Sequence, residues 1–359
     1  MIDEISLAAV VRAFNMEGEF HSAKPYGSGH IHDTWCVTFD HGRRIILQRI
    51  NTAIFTNPVA VMENIERVTA HLRSMLAGET DLDKRVLRLV STRDGVAWHV
   101  DAENRYWRAY RFIEGARTFD VVSSPRQAFE AAKAFGEFQR LLADLPATVL
   151  HESIPDFHNT AKRFRAFEQA VAEDVAGRCA DARHETAFAA SRIEMATELL
   201  NAELPRRVTH NDTKLNNVLL EDETGRGICV IDLDTVMPGL VAYDFGDMVR
   251  TMTCAAEEDE RDLSRVAMEF GLFDAVLRGY LDGAKNFLTA AERDSLISGA
   301  KVIAFEQGIR FLSDHLAGDT YYKVSRAGQN LDRCRTQFRL LESIERQEAD
   351  MMRLLRALA

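Results

Sequence analysis

The chain has 359 residues, with 44 lysines and arginines against 55 aspartates and glutamates and a formal net charge of −11. An acidic surface of this kind repels nucleic acid and anionic membranes, which argues against both as main partners. With 46% apolar and 28% charged residues the composition is that of an ordinary globular protein, and the length exceeds what a single core usually fills, so two lobes are expected.

The N-terminus carries Asp3 and Glu4 and no basic-then-apolar leader, and no apolar run approaches ~20 residues, so neither a signal peptide nor a membrane span is expected. Residues 20–100 read as strands around one helix. Tyr26-Gly27-Ser28-Gly29-His30-Ile31-His32 begins as a Gly-x-Gly loop ahead of a strand, with His32 where a third glycine would stand. Residues 34–39 and 44–50 are β-rich and separated by Asp40-His41-Gly42, a hairpin signal. Period-2 alternation lets only one of Gln48 and Arg49 face inward. Arg49 is the preferred inward cation, with Glu63 or Glu66 as its partner, and Gln48 is the alternative. A helix follows, with Asn57 as cap, Pro58 in the first turn, and Val61, Ile65, Val68 and Leu72 on one face. Residues 86–90 and 96–100 suggest a second hairpin about Arg93-Asp94-Gly95. Residues 107–113 form a further strand, ending at Glu114-Gly115.

Beyond this point the pattern turns helical. Ser124 caps, Pro125 starts, and Phe129, Ala132, Phe135, Leu142 and Leu145 line one face up to Pro146. Helical periodicity also covers 160–175, 185–200, 261–281, 292–315 and 331–358. Runs of strands followed by runs of helices indicate an α+β fold. Five cysteines, odd in number and widely spaced, suit reduced thiols and a cytoplasmic location rather than a disulfide framework.

The densest chemistry lies between the helices, in His210-Asn211-Asp212-Thr213-Lys214-Leu215-Asn216-Asn217 followed by Ile231-Asp232-Leu233-Asp234. Residues 217–220 and 228–231 are short apolar strands joined by a polar stretch with two glycines. A turn centred on Thr224-Gly225 places Asn217 opposite Asp232. An amide oxygen and a carboxylate converging on one point, with room for water and phosphate oxygens, is what Mg²⁺ accepts. Asp212 is then near enough to take a proton from an attacking hydroxyl. Asp234 is a second metal ligand or an outer, orienting group. Asp244-Phe245-Gly246 lies too far along the chain to face Asn217, and Asp244 and Asp247 are expected to brace the loop.

This segment resembles the catalytic loop of protein kinases, His-Arg-Asp-(x)4-Asn followed by a metal-binding Asp. It is more similar to that of small-molecule phosphotransferases related to aminoglycoside and choline kinases. Within them, 209–217 and 230–239, with Ile46-Leu47-Gln48-Arg49-Ile50-Asn51 and Gly308-Ile309-Arg310-Phe311-Leu312-Ser313-Asp314, resemble the N-acetylhexosamine 1-kinases. The resemblance implies a two-lobed protein-kinase-like fold, with a small β-rich lobe over 1–113 and a larger helical lobe over 114–359. It implies ATP between the lobes, Mg²⁺ on Asn217 and Asp232, Asp212 as base and Lys214 as the cation at the γ-phosphate. Nucleotide contacts are expected from Gly27, Ser28, Gly29, Arg49, Arg111 and Ile113, and sugar contacts from His30, His158, Arg310 and Tyr321. The expected reaction is phosphorylation of the anomeric hydroxyl of N-acetylgalactosamine or N-acetylglucosamine by a monomer or weak homodimer. The alternatives are a kinase of the same fold for an aminoglycoside, an amino alcohol or another sugar, and a catalytically idle nucleotide-binding protein.

Overall fold

The computed structural model describes residues 4–27, 29 and 31–358. Ser28 and His30 lie outside the described residues.

The front of the chain runs α1 (Glu4–Val11), β1 (Phe20–Pro25), β2 (Asp33–Phe39), β3 (Arg44–Arg49), α2 (Pro58–Met75), α3 (Leu82–Arg85), β4 (Trp98–Val100) and β5 (Tyr106–Arg111). The strands form one antiparallel sheet in the order β1-β2-β3-β5-β4. On one face Val37, Ile45, Leu47, Trp107 and Ala109 pack with Leu7, Val10 and Val11 of α1. Side chains alternate across a strand, so Ile46 and Gln48 turn to the opposite face. The helix expected after β3 is present: Asn57 Oδ1 accepts from Ala60 N at 3.1 Å and Pro58 opens the first turn.

The second expected hairpin does not form. Residues 88–90 and 98–100 lie one after the other along the same edge of β5, through Arg111 N to Arg88 O (2.9 Å), Val90 N to Ala109 O (2.8 Å) and the pairing of Trp98 with Arg108. The turn at 92–96, closed by Thr92 N to Val96 O at 2.7 Å, is a loop within that interrupted edge.

The rest of the chain comprises β6 (Ala116–Arg117), α4 (Pro125–Leu141), α5 (Thr160–Glu173), α6 (Arg183–Ala190), α7 (Met195–Asn201), β7 (Arg207–Thr209), β8 (Val218–Glu221), β9 (Gly227–Val230), β10 (Met237–Gly239), α8 (Val241–Met252), α9 (Phe270–Ala284), α10 (Ala290–Asp294), α11 (Leu296–Leu316) and α12 (Gln329–Ala357). The α+β expectation therefore holds. The pattern at 185–200 splits into α6 and α7, because Phe188 stacks on Phe338 while Arg192 bonds Glu345, both on α12, and the backbone bends between them. The patterns at 261–281 and 292–315 likewise resolve into a short 3₁₀ turn with α9, and into α10 with α11.

Helices α4 and α9 cross at backbone contact. A Cβ on Gly279 would lie 2.2 Å from Phe129 O, and one on Gly136 2.3 Å from Tyr280 O. This tight pair carries the β8–β9 hairpin, since Gly227 packs against Glu130 O of α4. All five cysteines are free. Among the described residues no helix is long and apolar enough to cross a membrane.

Candidate active site

The loop after β7 is pinned from several directions. Asp244, at the start of α8, accepts from His210 N at 2.9 Å, Asn211 N at 2.7 Å and Gln139 Nε2 at 2.6 Å. Thr235 Oγ1 donates to His210 O at 2.7 Å, and Asn211 Nδ2 donates to Thr235 O at 2.9 Å. His210 Nδ1 accepts from Asp212 N at 3.3 Å while Nε2 is 2.9 Å from Ile231 O, which assigns the proton to Nε2. Asn211 adopts φ 65°, a left-handed conformation tolerated best by Asn, Asp and Gly. Asp244 thus braces the loop, as expected. Asp247, also assigned to bracing, instead bonds Arg250 on its own helix at 2.9 Å.

Asp212 projects from this loop. Lys214 Nζ lies 3.0 Å from its Oδ2, and Asn217 Nδ2 donates to its backbone oxygen at 2.8 Å and to Oδ2 at 3.0 Å. Burial pushes the Asp212 carboxyl up, but the Lys214 ammonium and the Asn217 amide outweigh it and hold the group below its ordinary value. Lys214 is raised in turn, chiefly by Asp212. Asn217 spends its amide nitrogen on Asp212, so Oδ1 is the atom left to face a cation.

The hairpin register differs from the expected one by a residue. The turn closes between Glu221 and Arg226, and β9 carries a bulge where Leu219 pairs Cys229 but Leu220 pairs Gly227. Asn217 O consequently accepts from Ile231 N at 2.9 Å, and Asp232 is the next residue, turning with φ 60°. Both Asn217 and Asp232 still line one cavity of about 180 Å³ between the front sheet and the hairpin.

Asp232 accepts no hydrogen bond among the described residues. Burial and then the neighbouring Asp234 and Asp212 carboxylates push its carboxyl up, more than Lys214 offsets. Asp234 is different: Arg108 Nη1 and Nη2 hold its two oxygens at 2.7 and 2.6 Å. Despite burial, that guanidinium keeps Asp234 far below the usual carboxylate range. His32 Nε2, Asp232 and Asp234 present ligand atoms within 4.8 Å of one another. Since Asn51 N donates to His32 Nδ1 at 3.1 Å, the His32 proton sits on Nε2, which lies 3.3 Å from Asp234 Oδ1 without the alignment of a hydrogen bond. An unneutralised carboxylate beside a free amide oxygen fits a hard divalent cation, with Asp232 and Asn217 as protein ligands.

Other expected residues fall in different places. Gly27, Gly29, Arg111 and Ile113 line the same cavity as Lys214, Asn217 and Asp232. Arg49 does not: it pairs with Asp33 at the sheet surface, and Glu63 bonds Arg67 and His151 instead. Gln48 lines the cavity, accepting from Arg108 Nε at 2.9 Å, so the inward cation is Arg108 from the neighbouring strand. His158 is buried behind the catalytic loop with both ring nitrogens engaged by protein, which leaves it no nitrogen for a sugar. Arg310 and Tyr321 line a separate cleft of about 310 Å³ with Arg163 and Tyr322. Arg310 bonds Gln307 at 3.0 Å and is not paired with Asp314, whose carboxylate caps the backbone of 320–322. The charge of Arg250 acts on both Asp212 and Arg310, while its own contacts are with Asp247 and Glu258. Sequence reading missed Arg108 and His32. An arginine set between Trp107 and Ala109, in a strand rich in aromatic residues, was the available signal for the first.

Comparisons with known proteins agree with this architecture. The model of the phosphotransferase enzyme family matches residues 22–281. An aminoglycoside phosphotransferase from Alicyclobacillus acidocaldarius subsp. acidocaldarius DSM 446 superposes with a TM-score of 0.63 at 14% identity, covering 99% of this chain and 97% of its own. A spectinomycin phosphotransferase in complex with ADP and spectinomycin gives 0.60 at 13% identity, over 96% and 99%. A microcompartment-associated aminopropanol kinase gives 0.60 at 15%, over 97% and 98%. At such identities the structural likeness speaks for the fold, a β-rich front and helical back of the aminoglycoside and choline kinase type. The family match covers the sheet, the catalytic loop and the hairpin together, and on it the chain belongs to the phosphotransferase enzyme (APH) family.

Proposed function

We propose that this phosphotransferase moves the γ-phosphoryl group of ATP to the anomeric hydroxyl of an N-acetylhexosamine, with the lobes divided at 113/114. The observation that carries the transfer is the grouping of Asp212, held below its ordinary value by Lys214, with Asn217 and Asp232, which line the cavity; Asn217 Oδ1 and the Asp232 carboxylate accept no hydrogen bond among the described residues. Gly27, Gly29, Arg111 and the Ile113 backbone receive the nucleotide in the cavity they line. Mg²⁺ on Asn217 and Asp232 supplies charge neutralisation at the phosphate oxygens. Asp212 accepts the hydroxyl proton as the acceptor oxygen bonds to phosphorus and the bond to the β-phosphate oxygen breaks. Lys214 stays protonated through the step and steadies the charge on the transferring group. Positioning and charge, rather than covalent chemistry, supply the rate.

For the acceptor, the reading rests on the resemblance of 209–217 and 230–239 to hexosamine 1-kinases, with Arg310 and Tyr321 as sugar contacts. The cleft sets Arg163 and Arg310 beside Glu173 and Asp314 and the rings of Tyr321 and Tyr322, a mixed lining that suits the hydroxyls and ring faces of a neutral sugar. The test is ADP release from ATP with N-acetylgalactosamine, N-acetylglucosamine, an aminoglycoside and an aminopropanol, each with and without Mg²⁺. Turnover with a hexosamine, abolished by chelation, is expected. Turnover with the amines alone would reject the sugar reading and keep the kinase.

A further inference from the structure

His158 lies in the loop before α5 with 8% of its side chain exposed, and its partner Glu306 on α11 is 2% exposed. Nδ1 is 2.8 Å from Glu306 Oε1, and Nε2 is 3.2 Å from the carbonyl oxygen of Asn211. The second Glu306 oxygen accepts from Thr160 Oγ1 at 2.7 Å. A carboxylate and a carbonyl are both acceptors, so the ring satisfies both only with a proton on each nitrogen. A neutral ring would turn a lone pair toward one of them and leave a buried acceptor unmatched.

The carbonyl in question belongs to the peptide bond that leads into Asp212. Asp244 holds the Asn211 N–H and Thr235 holds its side chain, and among the described residues His158 is the donor to its carbonyl. Other charged groups face the carboxylate of the pair. Burial raises the Glu306 carboxyl, but His158 and Arg310, one turn further along α11, bring it below its ordinary value, and Arg163 of α5 also acts on it. The Tyr243 ring of α8 lies 4.9 Å from the imidazole and Phe157 meets it edge-on at 4.6 Å, so aromatic rings flank the imidazole. Arg206 acts on Tyr243 rather than on the histidine.

We propose that His158 and Glu306 form a positioning pair in which the ring donates from both nitrogens and fixes the Asn211–Asp212 peptide, aiming Asp212 at the acceptor hydroxyl. The aiming rests on Asp212 being the base; the doubly protonated ring does not.

The experiment uses full-length protein with ¹⁵N-labelled histidine, read by long-range ¹H–¹⁵N correlation across pH, with His158 assigned from its loss in His158→Phe. Both ring nitrogens protonated at neutral pH is the expected result, with kcat declining as that signature is lost and KM for ATP unchanged. His158→Phe, which preserves the ring contacts, should lower kcat on the order of 10- to 100-fold through misplacement of Asp212. In Glu306→Gln the new amide can donate to Nδ1, so the ring should turn neutral with its Nε2 proton retained, and the alkaline decline should vanish. A single-proton tautomer in the parent protein at neutral pH overturns the pair, whatever the acceptor assays give. A doubly protonated ring with kcat indifferent to its loss overturns the positioning role. If no acceptor is phosphorylated, the Asp212 reading falls and the spectrum alone decides the ring's state.

Discussion

Arg108 of β5 and Asp234, on the turn after β9, form a two-pronged ion pair across 126 positions of sequence, at 2.7 and 2.6 Å, with side chains 1% and 3% exposed. It ties the front sheet to the segment that follows the β8–β9 hairpin, beside the cavity that Arg108 lines. Removing one partner leaves a buried, unmatched charge, at a cost of about 3–5 kcal/mol. Asp234→Leu should therefore lower stability by that order in a urea titration. The double variant Arg108→Met, Asp234→Leu should recover most of the loss, and strict additivity of the two single effects would show that they do not interact.

Asp212→Asn removes the carboxylate proposed as proton acceptor but keeps an oxygen for Lys214 and the Asn217 amide. General-base groups contribute about 10²–10⁴-fold, so turnover should fall by at least that much. Nucleotide affinity by calorimetry should stay near the parent value, and an equal loss of both would point to a structural role for the carboxylate.

The α4–α9 crossing leaves no room for a side chain. Gly279→Ala puts a Cβ 2.2 Å from Phe129 O, and the helices must part. Overpacking of this kind costs about 1–3 kcal/mol, and at a backbone contact the upper end applies. Thermal melting should show the drop; an unchanged midpoint would mean that the two helices slide freely.

Acid sensitivity should come partly from Glu292, which is buried, bonds Arg207 at 2.8 and 3.1 Å and accepts from Thr289 N at 2.8 Å. Burial opposes ionisation, but Arg207 and the Thr289 cap hold the carboxyl below its ordinary value. A group lowered in the folded state stabilises it above the unfolded carboxylate range, near about 4.3, and that contribution disappears as pH falls through the folded value. Glu292→Gln should cost about 1.5–3 kcal/mol at neutral pH, the range for a hydrogen bond to a charged group. The gap from the parent should narrow as the solution is acidified toward the folded value, and a constant gap would exclude the ionised carboxylate as its source.

The caps at Asn57 and Ser124, the fold class and the grouping of Asp212, Lys214 and Asn217 were readable because each is written in residues close together in sequence. Asp212, Lys214 and Asn217 fall within one loop, and a hairpin returns Asp232 to it. What could not be read depended on packing between distant segments. Alternation showed that one of Gln48 and Arg49 faces inward, but Ile45, Ile46 and Leu47 make both faces of β3 apolar. The choice was made by α1, which covers Ile45 and Leu47 and turns Gln48 to the cavity. Arg108 was overlooked because its partner is remote, and His158 was assigned to sugar because nothing local announces Glu306. The one-residue error at Asn217 came from the turn, which centres one position earlier than Thr224-Gly225 and so moves the pairing by two residues, of which the extra residue of the β9 bulge returns one.

The most direct measurement is ³¹P NMR of the product formed from N-acetylgalactosamine, then N-acetylglucosamine, with ATP and Mg²⁺. The account predicts a sugar phosphate whose phosphorus couples to the anomeric proton and which does not form with Asp212→Asn. Coupling to a proton elsewhere on the ring, or a product formed equally by Asp212→Asn, would contradict it.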